Sequence, residues 1–231
     1  MTHAVRAVLA LLFVAWGAPA RAQRPADPRE LALHRITLTI GGGVFSGAAV
    51  GTRDADLRAN ADRPQPYALF SSSTRFGASP MIELRIGMAL SRRVVAEARG
   101  AFNRAALRTS VSADVEGAPA LTVVERVDQY VIGGGVLVML HEARLAGMVP
   151  FAAAGAGYLR QLHEGLTLVE HGHTFDVGGG LVRSLLSRDR GIVRAAGLRA
   201  DARLYLLSGG VTVRAGPRPH GAISGSAFVA F

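Results

Sequence analysis

The 231-residue sequence contains no cysteine and no lysine, and after residue 22 it has no long apolar run. The absence of cysteine excludes both a disulfide framework and a lipid-modified cysteine. All 26 basic residues are therefore arginine, and they outnumber the 17 acidic residues, which gives a formal net charge of +9. Because no basic patch is interleaved with aromatic residues, nucleic-acid binding is not predicted.

The first 22 residues have the pattern of an export signal. Arg6 precedes an apolar run at 7–16, and small residues follow, ending in Ala-Arg-Ala at 20–22. Since this run is shorter than the roughly 20 residues that span a bilayer, a cleaved secretory signal is favoured over a membrane anchor. We therefore expect a signal peptide at 1–22, a short flexible lead-in at 23–34 and one exported domain at 35–231.

The rest of the chain consists of short segments in which apolar and polar residues alternate. The clearest lie at 82–90 and 198–207, where Leu, Ile or Ala alternates with charged residues. A period of two is that of a β-strand with one apolar face. We expect eight such strands, near 36–41, 82–90, 94–103, 121–140, 149–160, 175–181, 198–207 and 221–231. The pattern leaves the registers of the fourth and fifth strands open.

Long and short connections alternate between these segments. The long ones are 46–79, 104–120, 161–173 and 208–221, and the short ones are 91–93, 141–147 and 185–192. Membrane barrels have short turns on the periplasmic side and longer loops outside. The sequence therefore predicts an all-β protein, a single antiparallel up-and-down transmembrane β-barrel of about eight strands.

Charged residues of both signs occupy the polar faces of these strands. In a small membrane barrel the apolar faces contact lipid and the polar side chains fill the interior. The predicted interior network consists of Glu83, Arg85, Glu97, Arg99, Asp176, Arg199, Asp201 and Arg203. Across the turn at 91–93, Arg85 would lie diagonal to Glu97, and Glu83 diagonal to Arg99. Mixed signs favour ion pairing over a conducting pore, although a soluble hairpin with solvated polar faces is an alternative.

The last eleven residues, GAISGSAFVAF, place Ile223, Val229 and Phe231 on one apolar face. In a soluble protein this strand would be an exposed edge, unless a partner strand or lipid covered it. By strand pattern, loop alternation and terminal phenylalanine, residues 35–231 resemble small bacterial outer-membrane β-barrels of the OmpA/OmpX type. The resemblance implies that this strand closes the barrel near Ile36 and is read by the barrel-assembly machinery. It also implies a monomer in the cell outer membrane.

Aromatic residues and glycine triplets have expected roles in such a barrel. The candidates for an interfacial aromatic girdle are Phe102, Tyr130, Phe151, Tyr158, Phe175 and Phe231. Glycine triplets occur at 41–43, 133–135 and 178–180. Because none precedes a helix-like segment, they are not phosphate-binding loops. We expect them to let the strands curve and pack closely.

No catalytic, metal or cofactor site is predicted. The richest group of potential metal ligands is His163, Glu164, Glu170, His171 and His173, whose spacing matches no established metal motif. A base and an acid are adjacent at His141-Glu142 and at His163-Glu164, but no serine stands at a recognisable nucleophile spacing. We therefore expect the protein not to be an enzyme.

The sequence thus predicts an outer-membrane barrel with a structural or surface-binding role, a filled polar interior and no large pore. The alternatives are a lipid A-modifying outer-membrane enzyme and a soluble periplasmic carrier of the lipocalin type, which would need an apolar interior. The expected partner is outer-membrane lipid, with lipopolysaccharide as a candidate for an arginine-rich rim of loops. That rim would comprise Arg53, Arg58, Arg63, Arg75, Arg214 and Arg218, with Tyr67 and Phe70.

Overall fold

The computed structural model describes residues 36–57, 67–143, 145–165, 168–188, 191–212 and 216–231. These residues form ten strands: β1 (Ile36–Phe45), β2 (Ala48–Leu57), β3 (Tyr67–Phe76), β4 (Ser79–Ala89), β5 (Val94–Ser112), β6 (Leu121–Met139), β7 (Val149–His163), β8 (Val169–Ser187), β9 (Ala195–Gly209) and β10 (Arg218–Ala230). None of the described residues belongs to a helix long and apolar enough to cross a membrane. The predicted signal peptide and lead-in lie outside the described residues.

The sheet is antiparallel throughout and closes on itself. Its ring runs β1-β4-β5-β6-β7-β8-β9-β10 and returns to β1. Strand β2 follows β1 after Ser46 and Gly47, and β3 leads into β4 through Gly77 and Ala78, so these pairs act as two interrupted strands. The wall therefore contains eight strands in its closed ring. This confirms the predicted all-β up-and-down barrel of about eight strands.

Strand β10 closes the barrel against β1. The pairing is antiparallel from Thr37 opposite Ala230 to Phe45 opposite Ala222. Beyond the strand, the amide of Phe231 donates to the carbonyl of Ile36 at 2.9 Å. The closing ladder thus lies near Ile36, as the resemblance to small outer-membrane barrels implied, and Ile223 and Phe231 are exposed on the outer face.

Strand residues occupy part of each of the four predicted long loops, which corrects the sequence analysis. Strands β2 and β3 occupy much of 46–79. Strands β5, β7 and β9 extend to Ser112, His163 and Gly209, and β8 and β10 begin at Val169 and Arg218. Strands β5 and β6 have 19 residues each, whereas about 9–11 residues suffice to span a bilayer. The apolar alternation ends before the backbone ladder does, so the wall continues beyond the apolar segment.

Side chains alternate between the inside and the outside of the wall. On β4, Glu83 and Arg85 are buried, whereas the neighbouring Leu84 and Ile86 are about half exposed. Strand β6, whose register the sequence left open, turns Gln129 inward and Tyr130 outward. The outer surface is therefore apolar over much of its height. Its exposed residues include Ile36, Leu38, Ile40, Val44, Ile82, Leu84, Ile86, Met88, Ile132, Val136, Phe175, Val177, Leu198, Leu204 and Ile223.

The interior is filled in layers. One apolar cluster, at the end with the turn at 90–93, contains Leu137, Met139, Val149, Phe151, Ala153, Val182 and Phe228. A second contains Phe45, Met81, Val131, Leu159, Tyr205, Leu207 and Ala222. A third, at the far end, contains Val50, Phe76, Ala105, Leu107, Val127 and Val211. Phe151 is only 3% exposed, so its predicted place in the outer aromatic girdle is wrong.

Candidate functional site in the barrel interior

The eight predicted network residues lie together between the first and second apolar clusters. They point inward from β4, β5, β8 and β9, and their exposed fractions are 1–7%. The group comprises Arg85, Arg99, Arg199, Arg203, Glu83, Glu97, Asp176 and Asp201. Four arginines are thus balanced by four carboxylates. Such a balance is needed because an unpaired buried charge is costly.

Asp201 and Glu97 are contacted by three of the arginines. Asp201 accepts hydrogen bonds from Arg199 Nε at 2.7 Å and lies 3.0 Å from Arg85 Nη1. Glu97 accepts hydrogen bonds from Arg199 Nη1 at 2.5 Å and from Arg203 Nη2 at 3.2 Å. Arg85, Arg199 and Arg203 each contact more than one carboxylate, so these ion pairs form a continuous network.

Asp176 and Glu83 complete the network, and Glu83 has other partners than the expected Arg99. Asp176 is bound by both terminal nitrogens of Arg99 and by Arg203 Nη1 at 2.8 Å. Glu83 accepts hydrogen bonds from Arg85 at 2.6 Å and from the hydroxyl of Ser224 at 2.8 Å. The expected diagonal contact between Arg85 and Glu97 is present at 3.7 Å. The expected contact between Glu83 and Arg99 is replaced by that of Arg99 with Asp176.

Inward-facing glycines provide the space that this network occupies. Gly155 lies opposite Asp176 on the neighbouring strand, and a Cβ added there would be 2.9 Å from Asp176 Oδ1. Gly178 lies opposite Arg203, and its added Cβ would be 2.2 Å from the carbonyl of Ala202. Larger residues would collide at both positions, so these glycines are needed for close approach.

Aromatic rings from the two neighbouring apolar clusters pack against the network. The guanidinium of Arg199 lies 4.6 Å from the ring centroid of Phe151, which belongs to the first apolar cluster. The guanidinium of Arg99 lies 5.1 Å from the ring centroid of Tyr205, which belongs to the second. Both contacts are within cation–π range. The charges are therefore packed between apolar layers instead of lining an open channel.

A second polar layer, which sequence reasoning missed, lies nearer the far end of the barrel. Asn103 donates to Ser79 Oγ at 2.8 Å and to Gln129 Oε1 at 3.0 Å. Gln161 Oε1 accepts from the amide of Val211 at 2.8 Å. Asn103 continues the inward parity of Glu97 and Arg99 on β5, which was a signal for this layer in the sequence.

Arg218 belongs to this layer and not to an exposed rim. It is 7% exposed, and its guanidinium donates to the carbonyls of Gly209 and Val211. Arg53 and Arg75 lie on β2 and β3, together with Tyr67 and Phe70 on β3. The other three members of the predicted rim, Arg58, Arg63 and Arg214, lie outside the described residues.

The histidines among the potential metal ligands at 163–173 divide between the two faces of the wall. His163 points inward, where its Nδ1 is 2.8 Å from Glu125 Oε1. His171 and His173 are exposed on the outer face, and His171 bonds to the hydroxyl of Tyr158. His141 bonds through Nε2 to the backbone carbonyl of Arg92 at 2.8 Å. Within the described part of the chain, no three His, Asp or Glu side chains are grouped as a metal site.

Comparison with known proteins gives a likeness in structure only. No protein-family model matches the sequence, and no curated protein matches it. The crystal structure of the outer membrane protein OprG from Pseudomonas aeruginosa is similar over 85% of this chain and 94% of that chain, with 9% sequence identity and a TM-score of 0.44. The fold described above therefore rests on the strand pairing of the chain itself.

Proposed function

We propose that this protein is an integral barrel of the bacterial outer membrane, with a structural or surface-binding role and no conducting pore. The observation that carries the proposal is the inverted distribution of polarity. The outside of the barrel exposes rows of Ile, Leu, Met and Val, whereas the eight charged side chains of the interior network are buried. Water-soluble proteins rarely expose apolar areas of this extent. Lipid-facing barrels have this arrangement.

The height of the apolar surface fits a bilayer. The apolar outward residues of β4 begin at Pro80 and continue to Leu90, which directly follows the strand. Ten residues rise about 34 Å along a strand, or about 26 Å along the axis at a tilt of about 40°. The lipid-facing band of outer-membrane barrels is about 25 Å tall. The apolar outward face of β4 is therefore long enough to span the membrane.

A row of aromatic residues supports the position of one membrane boundary. Phe102, Tyr130, Tyr158 and Phe175 project outward from the four adjacent strands β5 to β8. The rings of Phe102 and Tyr130 are 5.0 Å apart between centroids. Aromatic side chains concentrate at membrane–water interfaces, where an apolar ring meets polar head groups. We call these four residues the aromatic row.

The two alternative functions have less support. A lipocalin-type carrier would need an apolar interior, but the middle of this lumen holds four arginines and four carboxylates. Its apolar outer surface would also face water. A lipid A-modifying enzyme would need an activated nucleophile, yet the rings of His141 and His163 bond to a backbone carbonyl and to a carboxylate.

Cell fractionation tests the location. We expect the native protein to sediment with the outer membrane and to migrate faster before boiling than after it on a denaturing gel. We expect its first residue to be Gln23, as determined by mass spectrometry. Recovery of the native protein in the soluble periplasmic fraction would contradict the proposal.

Planar-bilayer recording tests the filled interior. Because the charged layer and the apolar layers on either side of it occupy the lumen, we expect the purified barrel to show little or no single-channel conductance. A porin added to the same bilayers is the positive control. A large and steady conductance would show that the interior charges line a pore, and would exclude a purely structural or surface-binding role.

A further inference from the structure

On each of the four strands of the aromatic row, the next outward-facing residue away from the membrane centre is charged or polar. It lies two positions along the strand from the aromatic residue. The pairs are Phe102 and Arg104, Tyr130 and Asp128, Tyr158 and Arg160, and Phe175 and His173. Two residues correspond to about 7 Å along a strand. In the proposed membrane location, this level is that of the lipid head groups.

Five exposed arginines, which we call the outer arginine belt, lie at this level or farther from the membrane centre. They are Arg75, Arg104, Arg108, Arg126 and Arg160, on strands β3, β5, β6 and β7. Two carboxylates accompany them. Asp128 pairs with Arg104 through Nη2 at 2.8 Å, and Glu164 accepts a hydrogen bond from the backbone amide of Arg126 at 3.3 Å. The belt therefore has an excess of positive charge.

Four guanidinium groups of the belt have no ion pair within the described ranges. These are the groups of Arg75, Arg108, Arg126 and Arg160. Arg75 and Arg108 are also directly opposite each other on the paired strands β3 and β5, and both are exposed. Like charges in this position repel. A bound anion would offset that repulsion.

The belt occupies one side of the barrel. On β9, β10 and β1 the outward positions near the same level are uncharged. They include Leu206, Ser208, Pro219, Gly221 and Val44. A general excess of arginine in the composition would place arginines on all sides. The restriction of both the aromatic row and the belt to one side therefore indicates a local binding surface.

We propose that the outer arginine belt binds the phosphate groups of outer-leaflet lipopolysaccharide. Arginine forms paired charge-assisted hydrogen bonds with phosphate. The belt extends from β3 to β7, which at the usual strand spacing is about 15 Å. One phosphate would not reach across this distance, whereas a glycolipid with two phosphates on separate sugars would contact several strands. The inference rests on the proposed outer-membrane location.

Binding to defined lipids tests this inference. The folded protein in neutral detergent is titrated with lipid A carrying two phosphates, with dephosphorylated lipid A and with phosphatidylglycerol. We expect the first to bind about tenfold more tightly than the other two, and the preference to weaken as salt rises. The triple variant R108Q/R126Q/R160Q should lose most of this preference.

A matched triple variant controls for net charge. R92Q/R183Q/R188Q removes three exposed arginines near the opposite end of the barrel and should bind like the wild type. Both variants must show the heat-dependent gel shift of the folded barrel, and the single variant R160Q replaces the triple one if folding fails. Equal losses in the belt and control variants, or equal binding of dephosphorylated lipid A, would overturn the inference.

Two further outcomes separate this inference from the function on which it rests. Phosphatidylglycerol binding as tight as that of lipid A would show a general anionic surface and would contradict the choice of glycolipid. A protein that fractionates with the outer membrane yet shows no lipid preference would disprove the inference alone. A soluble periplasmic protein would disprove both.

Discussion

Replacement of Asp201 by alanine should lower the free energy of unfolding by about 3–5 kcal/mol, the usual cost of removing one partner from a buried ion pair. Asp201 is 4% exposed and contacts Arg85, Arg199 and Arg203. Its loss would leave four buried arginines with three carboxylates. Urea titration of the barrel in lipid vesicles, followed by the heat-dependent gel shift, measures the change.

A charge-neutral double variant is the control for this result. Arg199→Met alone should also destabilise the barrel, because Glu97 and Asp201 both lose a hydrogen-bonded partner. The double variant Asp201→Ala/Arg199→Met restores the balance of charge. It should therefore be less destabilised than the sum of the two single variants, by about 0.5–3 kcal/mol. Strict additivity would show that the two residues do not act through a shared network.

Replacement of Leu84 by arginine should cost about 2–4 kcal/mol if this position lies near the bilayer midplane. Leu84 projects outward from the middle of β4 and is 48% exposed. In lipid the arginine would lose its hydration, whereas in water the same change would be nearly neutral. Leu204→Arg on β9 should behave in the same way, because Leu204 is also exposed on the outer face. Unfolding in vesicles, compared with the unfolding of the wild type, gives the cost.

Ala89→Ser is the matched change on the inner face. Ala89 follows the inward parity of Glu83 and Arg85 and lies near the end of β4, so a hydroxyl group there should change stability little. The assignment of the two faces predicts a clear difference between Leu84→Arg and Ala89→Ser. If both variants unfold at the same urea concentration as the wild type, the outer face does not contact lipid.

The fold class was predictable because two strands have an unbroken alternation. On β4 and β9, every second residue is apolar and the others include charges, so the faces could be assigned without the structure. The extent of the wall was not predictable. Beyond the apolar band, the outward residues become polar while the backbone ladder continues, as at Arg104 and Arg108 on β5. Period-two apolarity ends there, and the sequence has no other signal for a strand.

The members of the charged network were predictable from parity, but their partners were not. Asp176 and Arg99 are 77 residues apart, and their contact depends on the closed barrel bringing β8 across from β5. Neighbouring-strand geometry alone suggested Glu83 as the partner of Arg99. Phe151 was misplaced for a related reason. Strand β7 is so rich in alanine and glycine that its inner and outer faces look alike in the sequence.

The closure of β10 against β1 has a consequence for folding. Thr37 and Ala230 are paired although nearly the whole described chain separates them, whereas β4 and β5 are joined by a short turn. Contacts between residues so far apart in sequence form slowly. Until β1 and β10 pair with each other, each has an unpaired edge that can form backbone hydrogen bonds with a strand of another chain. Gly41 and Gly43 face Ser226 and Ser224 in the middle of this pairing, so no large side chains interlock at these two positions. The open-edged intermediate is therefore the species most prone to aggregation, and rapid transfer to a membrane would protect it.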